Sequence, residues 1–186
     1  IQSLTDLYAD QGYAFVEINP VTSEFLNSVN IDFEIFLNKK TYINRITISG
    51  NTRTQDEVIR REIGISEGGL YSRTILKDSL LSLRRLGYFS DVQIATSEVE
   101  GMNDKIDINF TVEETQTGAV SFSMSHSNNY GIAFGAGIKE KNIFGSGNTL
   151  NADLKVSKSY NKVSVYFMNP NFNDEGHSVS IGAFKS

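Results

Sequence analysis

Two kinds of hydrophobic spacing divide the chain at residues 114–118. From Ile1 to Glu114, helix-like and strand-like stretches alternate, as is typical of α+β domains. Beyond Thr115 the helical spacing disappears, and short runs of period two are separated by segments rich in Gly, Ser and Asn. The pattern predicts an α+β part followed by an all-β part.

Three strands are predicted between residues 42 and 112. Tyr42–Ser49 alternates apolar and polar positions and is followed by a glycine and an asparagine, which favour a turn. Val92 and Ile94 alternate with polar neighbours, and residues 106–112 do so strictly. The last two strands would be joined around Gly101. Because about 75 residues bury little surface, we expect two helices to cover one face of a three-stranded sheet.

Two helices are predicted between the first and second of these strands. Thr54 and Glu57 have the spacing of a capping box, which would start a helix that ends at Gly64. Ser72 would cap a second helix, and Gly87 suits the left-handed position that follows a helix. The predicted order of this domain is therefore β-α-α-β-β.

The same signals recur nearer the beginning of the chain. Gly12 and Tyr13 follow a helical stretch as Gly87 and Tyr88 do, and residues 31–35 repeat the alternation of residues 108–112 at nearly the same offset. Tandem domains of one type are implied. The first copy has no counterpart of the opening strand and first helix, so we expect the native polypeptide to continue upstream of Ile1.

The all-β part contains four alternating runs and the beginning of a fifth. Transmembrane strands need only ~9–11 residues of alternating polarity, and a wet lumen suits the Ser, Asn, Asp and Lys of the polar positions. Tyr130, Phe144 and Phe172 would lie where an interfacial aromatic girdle is expected. A soluble β-sandwich would show the same alternation and stays open as an alternative. Gly145-Ser146-Gly147 is interpreted as a hairpin turn rather than a phosphate loop, because no Walker lysine or following helix accompanies it.

Composition and charge exclude several functions. With 39% hydrophobic and 21% charged residues the chain is expected to fold, and a net charge of −5 without a basic stripe argues against nucleic acid as a partner. No apolar run has the length of a transmembrane helix, and there is no cysteine to form disulfides or bind metals. His126 and His177 are the two histidines, and neither lies in a metal or nucleophile motif. We therefore expect no enzyme activity, no cofactor and no metal.

An ordered series of motifs resembles the BamA-like family of outer-membrane protein assembly factors. Residues 48–54, residues 59–63 and residues 86–89 are similar to the last POTRA domain of that family. Thr117-Gly118, residues 142–148 and residues 169–172 are similar to the beginning of its barrel. The resemblance covers nearly the whole chain and implies a partial POTRA domain in residues 1–39, a complete one in residues 40–115, and about five barrel strands in residues 116–186. Family barrels have sixteen strands, so the seam between first and last strands would be absent from this chain.

The resemblance implies a function and a set of functional residues. The parent protein would insert β-barrel proteins into the outer membrane of Gram-negative cells by pairing client strands with an exposed sheet edge, with its POTRA domains in the periplasm. Unfolded outer-membrane proteins, accessory lipoproteins and outer-membrane lipid would be its partners. The first barrel strand would pair with clients through Gly118, Ala119, Val120, Ser121, Phe122, Ser123, Met124 and Ser125. The POTRA edge strand would contribute Asp91, Val92, Gln93, Ile94, Ala95 and Thr96, and accessory proteins would dock at Arg60, Arg61 and Glu62.

Two other functions stay open at this point. POTRA domains also precede barrels in two-partner secretion transporters, in TamA and in organellar translocases, where the barrel conducts a chain. A soluble scaffold of tandem α+β domains and a sandwich is the alternative outside the membrane. The strand count of the barrel would distinguish a translocation pore from an assembly factor. A protein that is monodisperse without detergent would favour the soluble scaffold.

Overall fold

The computed structural model describes residues 1–25, 28–128, 131–173 and 176–186. Contacts divide the chain into two compact units, one of residues 1–50, 62–85 and 91–112 and the other of residues 51–61, 86–90 and 113–186. None of the helices in the described ranges is both long and apolar enough to cross a membrane.

The α+β part contains three helices and five strands. They are α1 (Gln2–Asp10), β1 (Glu17–Phe25), β2 (Ser28–Phe36), β3 (Tyr42–Ser49), α2 (Asp56–Arg60), α3 (Arg73–Leu86), β4 (Phe89–Val99) and β5 (Met102–Glu114). Strands β1 and β2 form an antiparallel hairpin, and the other three form a sheet in the order β3-β5-β4. The predicted strands at 42–49, 92–94 and 106–112 are confirmed, whereas β1 was not predicted.

The core of the first unit comes from the period-two positions of the sheet. Ile106, Ile108, Phe110 and Val112 of β5 are all buried, and β3 lies parallel to β5 with Ile46 opposite Ile108. Leu76 and Leu83 of α3 are buried as well, as their helical spacing predicts. Gly87, which follows α3, has φ +68°, so the predicted left-handed termination is confirmed.

The first predicted helix differs from the sequence expectation. Helix α2 begins after Gln55 and ends at Arg60, not at Gly64, and its N-terminus has no side-chain cap. The capping box assigned to Thr54 and Glu57 is wrong, because Thr54 is buried and its N–H and hydroxyl bond to residues far away in sequence. Helix α3 does use its predicted cap, since the N–H of Ile75 donates to the Ser72 hydroxyl at 3.3 Å.

A second residue also caps α3, and it comes from α1 near the beginning of the chain. The carboxylate of Asp10, at the end of α1, accepts the N–H of Thr74 at 2.8 Å and the hydroxyls of Ser72 and Thr74 at 2.9 and 2.7 Å. Burial alone would raise the pKa of Asp10, but these hydrogen bonds outweigh it and lower that pKa. Asp6, one turn earlier, lies 3.2 Å from the ammonium of Lys77. Helix α1 is thereby tied to α3.

The all-β part is one antiparallel sheet of five strands. They are β6 (Gly118–Ser127), β7 (Gly131–Ile143), β8 (Asn148–Ser157), β9 (Asn161–Asn169) and β10 (Val179–Lys185), in the order β10-β9-β8-β7-β6. The predicted up-and-down connection and the hairpin turn at residues 145–147 are confirmed. Tyr130 of the predicted girdle lies outside the described residues, while Phe144 and Phe172 are exposed.

Candidate functional site

The predicted client-pairing strand is the first strand of the five-stranded sheet and lies at its edge. Residues 118–127 of β6 pair with β7 in an unbroken register, from Gly118 opposite Glu140 to Ser127 opposite Gly131. Within the described ranges no strand pairs with the other side of β6. The edge therefore offers a row of main-chain groups to a further strand.

The hydrogen bond that precedes this register identifies which residues face the open edge. The N–H of Lys141 donates to the carbonyl of Thr117, so Thr117 directs its main-chain groups toward β7. Because N–H and C=O directions alternate along a strand, the odd-numbered residues of β6 bond to β7 and the even-numbered residues face outward. The open edge of β6 is thus formed by five residues: Gly118, Val120, Phe122, Met124 and His126.

The register also sorts the side chains of the whole sheet onto two faces. Phe122 lies opposite Ala136, which lies opposite Leu154, which in turn lies opposite Val163. The apolar face comprises Val120, Phe122, Met124, Phe134, Ala136, Ile138, Ala152, Leu154, Val156, Val163, Val165, Phe167, Ile181 and Ala183. Most of these side chains are exposed. An apolar surface that continues across five strands is typical of contact with lipid.

The opposite face is polar, and its glycines on β7 lie beside serines on β6. Gly137 of β7 lies between Ser121 of β6 and Asp153 of β8, and a Cβ built on it would come within 2.8 Å of the Ser121 hydroxyl. Gly135 is in the same position beside Ser123. Glycine on β7 therefore leaves room for the serines of β6, as expected for a face toward water.

Side chains hold the beginning of β6 in place. The hydroxyl of Thr117 donates to the carboxylate of Glu140, and the N–H of Asn142 donates to the same oxygen at 2.9 Å. Together with the Lys141–Thr117 main-chain bond, these contacts fix where β6 starts against β7. These contacts therefore fix the register between β6 and β7. A slip of one residue would exchange the two faces of β6.

Four residues before β6, Glu114 holds a loop that precedes α2. Its carboxylate accepts the N–H groups of Thr52, Arg53 and Thr54 at 3.1, 2.9 and 2.7 Å, and the Thr52 hydroxyl at 2.8 Å. Burial alone would raise the pKa of Glu114, but the bonds from Thr54, Thr52 and Arg53 outweigh it and lower the pKa to about 2. Glu114 is therefore ionised and acts as an anchor at neutral pH.

The same loop binds the turn between β7 and β8. Asn142 is buried; its amide nitrogen donates to the Thr54 hydroxyl at 2.9 Å and its amide oxygen accepts the N–H of Gly147 at 2.7 Å. The hydroxyl of Tyr88 donates to the Gly147 carbonyl at 3.2 Å, and the N–H of Gln55 donates to the Gly145 carbonyl at 2.9 Å. We call these residues, with Glu114, the polar junction. Sequence reasoning missed it because its bonded members, such as Gln55 and Gly145, lie up to 90 residues apart and form no local pattern.

The second predicted surface, Asp91–Thr96, lies in β4 at an edge of the three-stranded sheet. The opposite edge, β3, is already engaged. The N–H of Ile43 donates to the Gly69 carbonyl, its carbonyl accepts from Gly68, and the N–H of Ile46 donates to Glu67 at 2.9 Å. Strand β3 is thus engaged at both Ile43 and Ile46.

The predicted docking residues have different surroundings. Arg60 is exposed and pairs with Asp56 at 2.6 Å, one helical turn away. Arg61 is half-buried, and its guanidinium lies where a side chain on Gly147 would project. Glu62 is half-buried as well. The structure thus brings Arg61 toward the polar junction, and Arg60 is the one of the three that is exposed.

The two histidines lie in different places of the described structure. No group of three or more His, Cys, Asp or Glu side chains in the described ranges is arranged to hold a metal ion. His126 lies on the open edge of β6, and the carbonyl of His177 accepts the N–H of Phe172 in the segment before β10.

Comparisons with known proteins agree with this geometry. Residues 41–115 match the family described as POTRA, surface antigen variable number repeat. The chain is 34% identical over 98% of its length to the outer membrane protein assembly factor BamA of Nitratidesulfovibrio vulgaris, and 34% identical over 92% of its length to that of Neisseria meningitidis. It covers 23% and 22% of those two relatives, so it spans less than a quarter of their length.

A solved structure has the same fold. BamA from Haemophilus ducreyi lacking POTRA domains 1–3 superposes with a TM-score of 0.89 at 24% identity, covering 98% of this chain and 35% of the other. The predicted fold class, POTRA followed by antiparallel strands of a barrel, is confirmed. The sandwich alternative is wrong, because the described strands β6 to β10 form one sheet rather than two packed layers.

Proposed function

This chain belongs to the BamA-like, POTRA-containing family, and from that premise we propose that it is part of a factor that assembles and inserts β-barrel proteins into the outer membrane. Its place is the outer membrane of Gram-negative cells, with the POTRA domain on the periplasmic side. Pairing of a client strand with the open edge of β6 is the proposed mechanism. The clients are unfolded outer-membrane proteins, and the apolar face contacts lipid.

The open edge of β6 is the observation that carries the proposal. Its five residues offer up to ten main-chain bonds, which at ~0.5–1.5 kcal/mol each sum to roughly 5–15 kcal/mol. Ordering about ten client residues costs roughly 10–20 kcal/mol in backbone entropy. Pairing in water is therefore reversible, and it becomes stronger where lipid excludes water, since an unpaired group there costs several kcal/mol.

Other residues have supporting roles in this proposal. Extended clients pair transiently with Asp91–Thr96 of β4, and accessory lipoproteins dock around Arg60, Arg61 and Glu62. The exposed Arg60 supports docking more strongly than the half-buried Arg61 does. The bonds of Thr117 to Glu140 and Lys141 position β6 by fixing the beginning of that strand. The reaction needs no catalytic residue and no cofactor, because strand exchange forms and breaks only hydrogen bonds.

The secretion-pore alternative is not favoured. The curated relatives described above are named as outer membrane protein assembly factors.

Cysteine cross-linking in the full-length protein tests the proposal. Ser121 and Ser123 lie between the outward-facing residues, so opposite a client they occupy non-hydrogen-bonded pairs, whose Cα atoms are only ~4.5 Å apart. Ser121→Cys and Ser123→Cys should each form a disulfide with a cysteine in the final strand of a stalled client. Failure in every register would contradict pairing at β6.

Proline substitutions supply a matched pair for the same experiment. Val120→Pro removes an outward N–H and leaves the β6–β7 bonds intact, whereas Ser121→Pro removes an N–H that bonds to β7. We expect Val120→Pro to reduce the client cross-link at Ser123→Cys several-fold while the sheet stays protease-resistant. Ser121→Pro should loosen the sheet itself. An undiminished cross-link in Val120→Pro would show that the main-chain edge is not used.

A further inference from the structure

Two side chains bond to the main chain of β4 at its outer edge, and both bond to the same residue, Val92. The guanidinium of Arg84, from α3, donates to the carbonyl of Val92 at 3.1 Å, and the carboxylate of Asp91 accepts the N–H of Val92 at 2.8 Å. Arg84 and Asp91 are themselves 3.5 Å apart, and the Gln93 side chain donates to Asp91 at 2.7 Å. Both main-chain groups of Val92 are therefore satisfied by side chains.

These bonds show which residues of β4 face outward. Because the main-chain groups of Val92 bond to side chains and directions alternate along a strand, Val92, Ile94 and Thr96 point away from β5. A strand arriving at this edge would donate an N–H to the Val92 carbonyl and accept the Val92 N–H. Arg84 already supplies that donor and Asp91 already supplies that acceptor.

We propose that Arg84 and Asp91 form an edge plug that imitates one residue of a partner strand and competes with an extended client polypeptide for the edge of β4. This inference rests on the proposed function of β4. The plug determines where pairing begins: Ile94 and Thr96 are reached first, and Val92 is reached only when the plug is displaced. Its occupant is an extended strand, because the groups that the plug covers are main-chain groups.

The hydrogen bonds of the plug are weak enough for an arriving strand to replace them. The side chains of Arg84 and Asp91 are 52% and 42% exposed, so water competes for both and their pairing is weak. The hydrogen bonds from Gln93 and Val92 and the charge of Arg84 lower the pKa of Asp91, so its carboxylate stays ionised at neutral pH. A client strand that brings several main-chain bonds would outcompete two exposed side chains.

Peptide binding to the full chain in detergent micelles tests the plug. The probe is a synthetic peptide with the sequence Asn148–Ser157, a strand of this chain that alternates apolar and polar residues. Arg84→Ala should bind it about two- to fivefold more tightly, as expected for removal of an exposed competitor. Arg85→Ala is the matched control, because Arg85 is the next residue of α3 and bonds to Ser82, not to β4. It should bind as the wild type does.

Amide hydrogen exchange of Val92 and Ile94 provides the second measurement. Without peptide, Asp91→Ala should speed exchange at Val92, because it removes the acceptor of that N–H. With peptide, Arg84→Ala should slow exchange at both residues relative to the wild type. If the peptide protects β4 equally well in wild type and Arg84→Ala, the plug is disproved and pairing at β4 stands. If the peptide protects β4 in neither protein, pairing at β4 is disproved and the plug has nothing to exclude, while pairing at β6 is untouched.

Discussion

Strands β5 and β6 have the same alternating sequence pattern and opposite surroundings. Phe110 of β5 is 0% exposed, whereas Phe122 of β6 is 83% exposed. Both strands belong to sheets with one apolar face, and both carry polar residues at the intervening positions. Period two therefore identifies a strand and its faces, and it does not identify what covers the apolar face.

The residues around each strand supply that missing information. Strand β5 follows a sequence with helical spacing, and Leu76 and Leu83 of α3 are buried with it in the first unit. Strand β6 is followed by further strands and, within the described ranges, by no helix that could cover its apolar face. Such a face is suited to lipid. A buried face and a lipid-facing one are thus distinguished by their neighbours along the chain.

Truncation of Phe110 and of Phe122 to alanine should give the largest difference in stability between the two strands. Phe110→Ala leaves a cavity in a packed core and should lower the free energy of unfolding by about 3–5 kcal/mol. Phe122→Ala removes a side chain that detergent or lipid surrounds, so the mobile chains fill the space and the loss should be smaller. Denaturant unfolding of the full chain in micelles measures both. Equal losses would mean that the apolar face of β6 is packed against protein.

A charge introduced on one or the other face of β6 tests which of the two faces contacts lipid. Phe122→Arg lies on the apolar face and should cost about 2–4 kcal/mol if that residue is near the bilayer midplane. Ser123→Arg, one residue away on the polar face, should cost much less because the guanidinium reaches water. The yield of folded full-length protein in lipid vesicles compares the two variants. A greater loss for Ser123→Arg would reverse the assignment of the faces.

Glu114, the last residue of β5 and a member of the polar junction, should give the smallest of the three effects. Because the pKa of Glu114 is lowered to about 2, its bonds stabilise the fold above about pH 4.5 and are lost as pH falls toward 2. Glu114→Gln should lose about 1 kcal/mol at pH 7, after a discount for solvent exposure. Unfolding of wild type and variant across pH 2–7 checks this. A difference that does not shrink below pH 4.5 would contradict an ionic role.

The sequence predicts the elements better than the contacts between them. Strand β5 and helix α3 are recognised by their spacing, because each buries one face and hydrophobic period follows burial. Strand β1 was missed, since its sequence, Glu17–Phe25, contains Pro20 and mixes polar residues into both faces. Helix α2 has only five residues, too few for a period to define its end.

The contacts of the candidate site were partly predictable. The resemblance identified β6 as the strand at the edge, and the structure adds which of its residues face outward. Thr54 shows where local reasoning fails: its spacing to Glu57 fits a capping box, but Glu114 and Asn142 bind its N–H and hydroxyl. Tertiary partners outcompete a local cap when they satisfy the same groups in a buried place. Arg84 was missed for the same reason, because its partner on β4 is not recognisable from helical spacing.

The carboxylate of Asp10 has a practical consequence for anyone who excises the residues that match the POTRA family. A protein trimmed to begin at residue 40 would retain every residue that matches the POTRA family but would lose the group that completes the first turn of α3. Replacing such caps costs about 0.5–2 kcal/mol, a substantial share of what a domain this small possesses. A stable excised domain should therefore begin before Asp10.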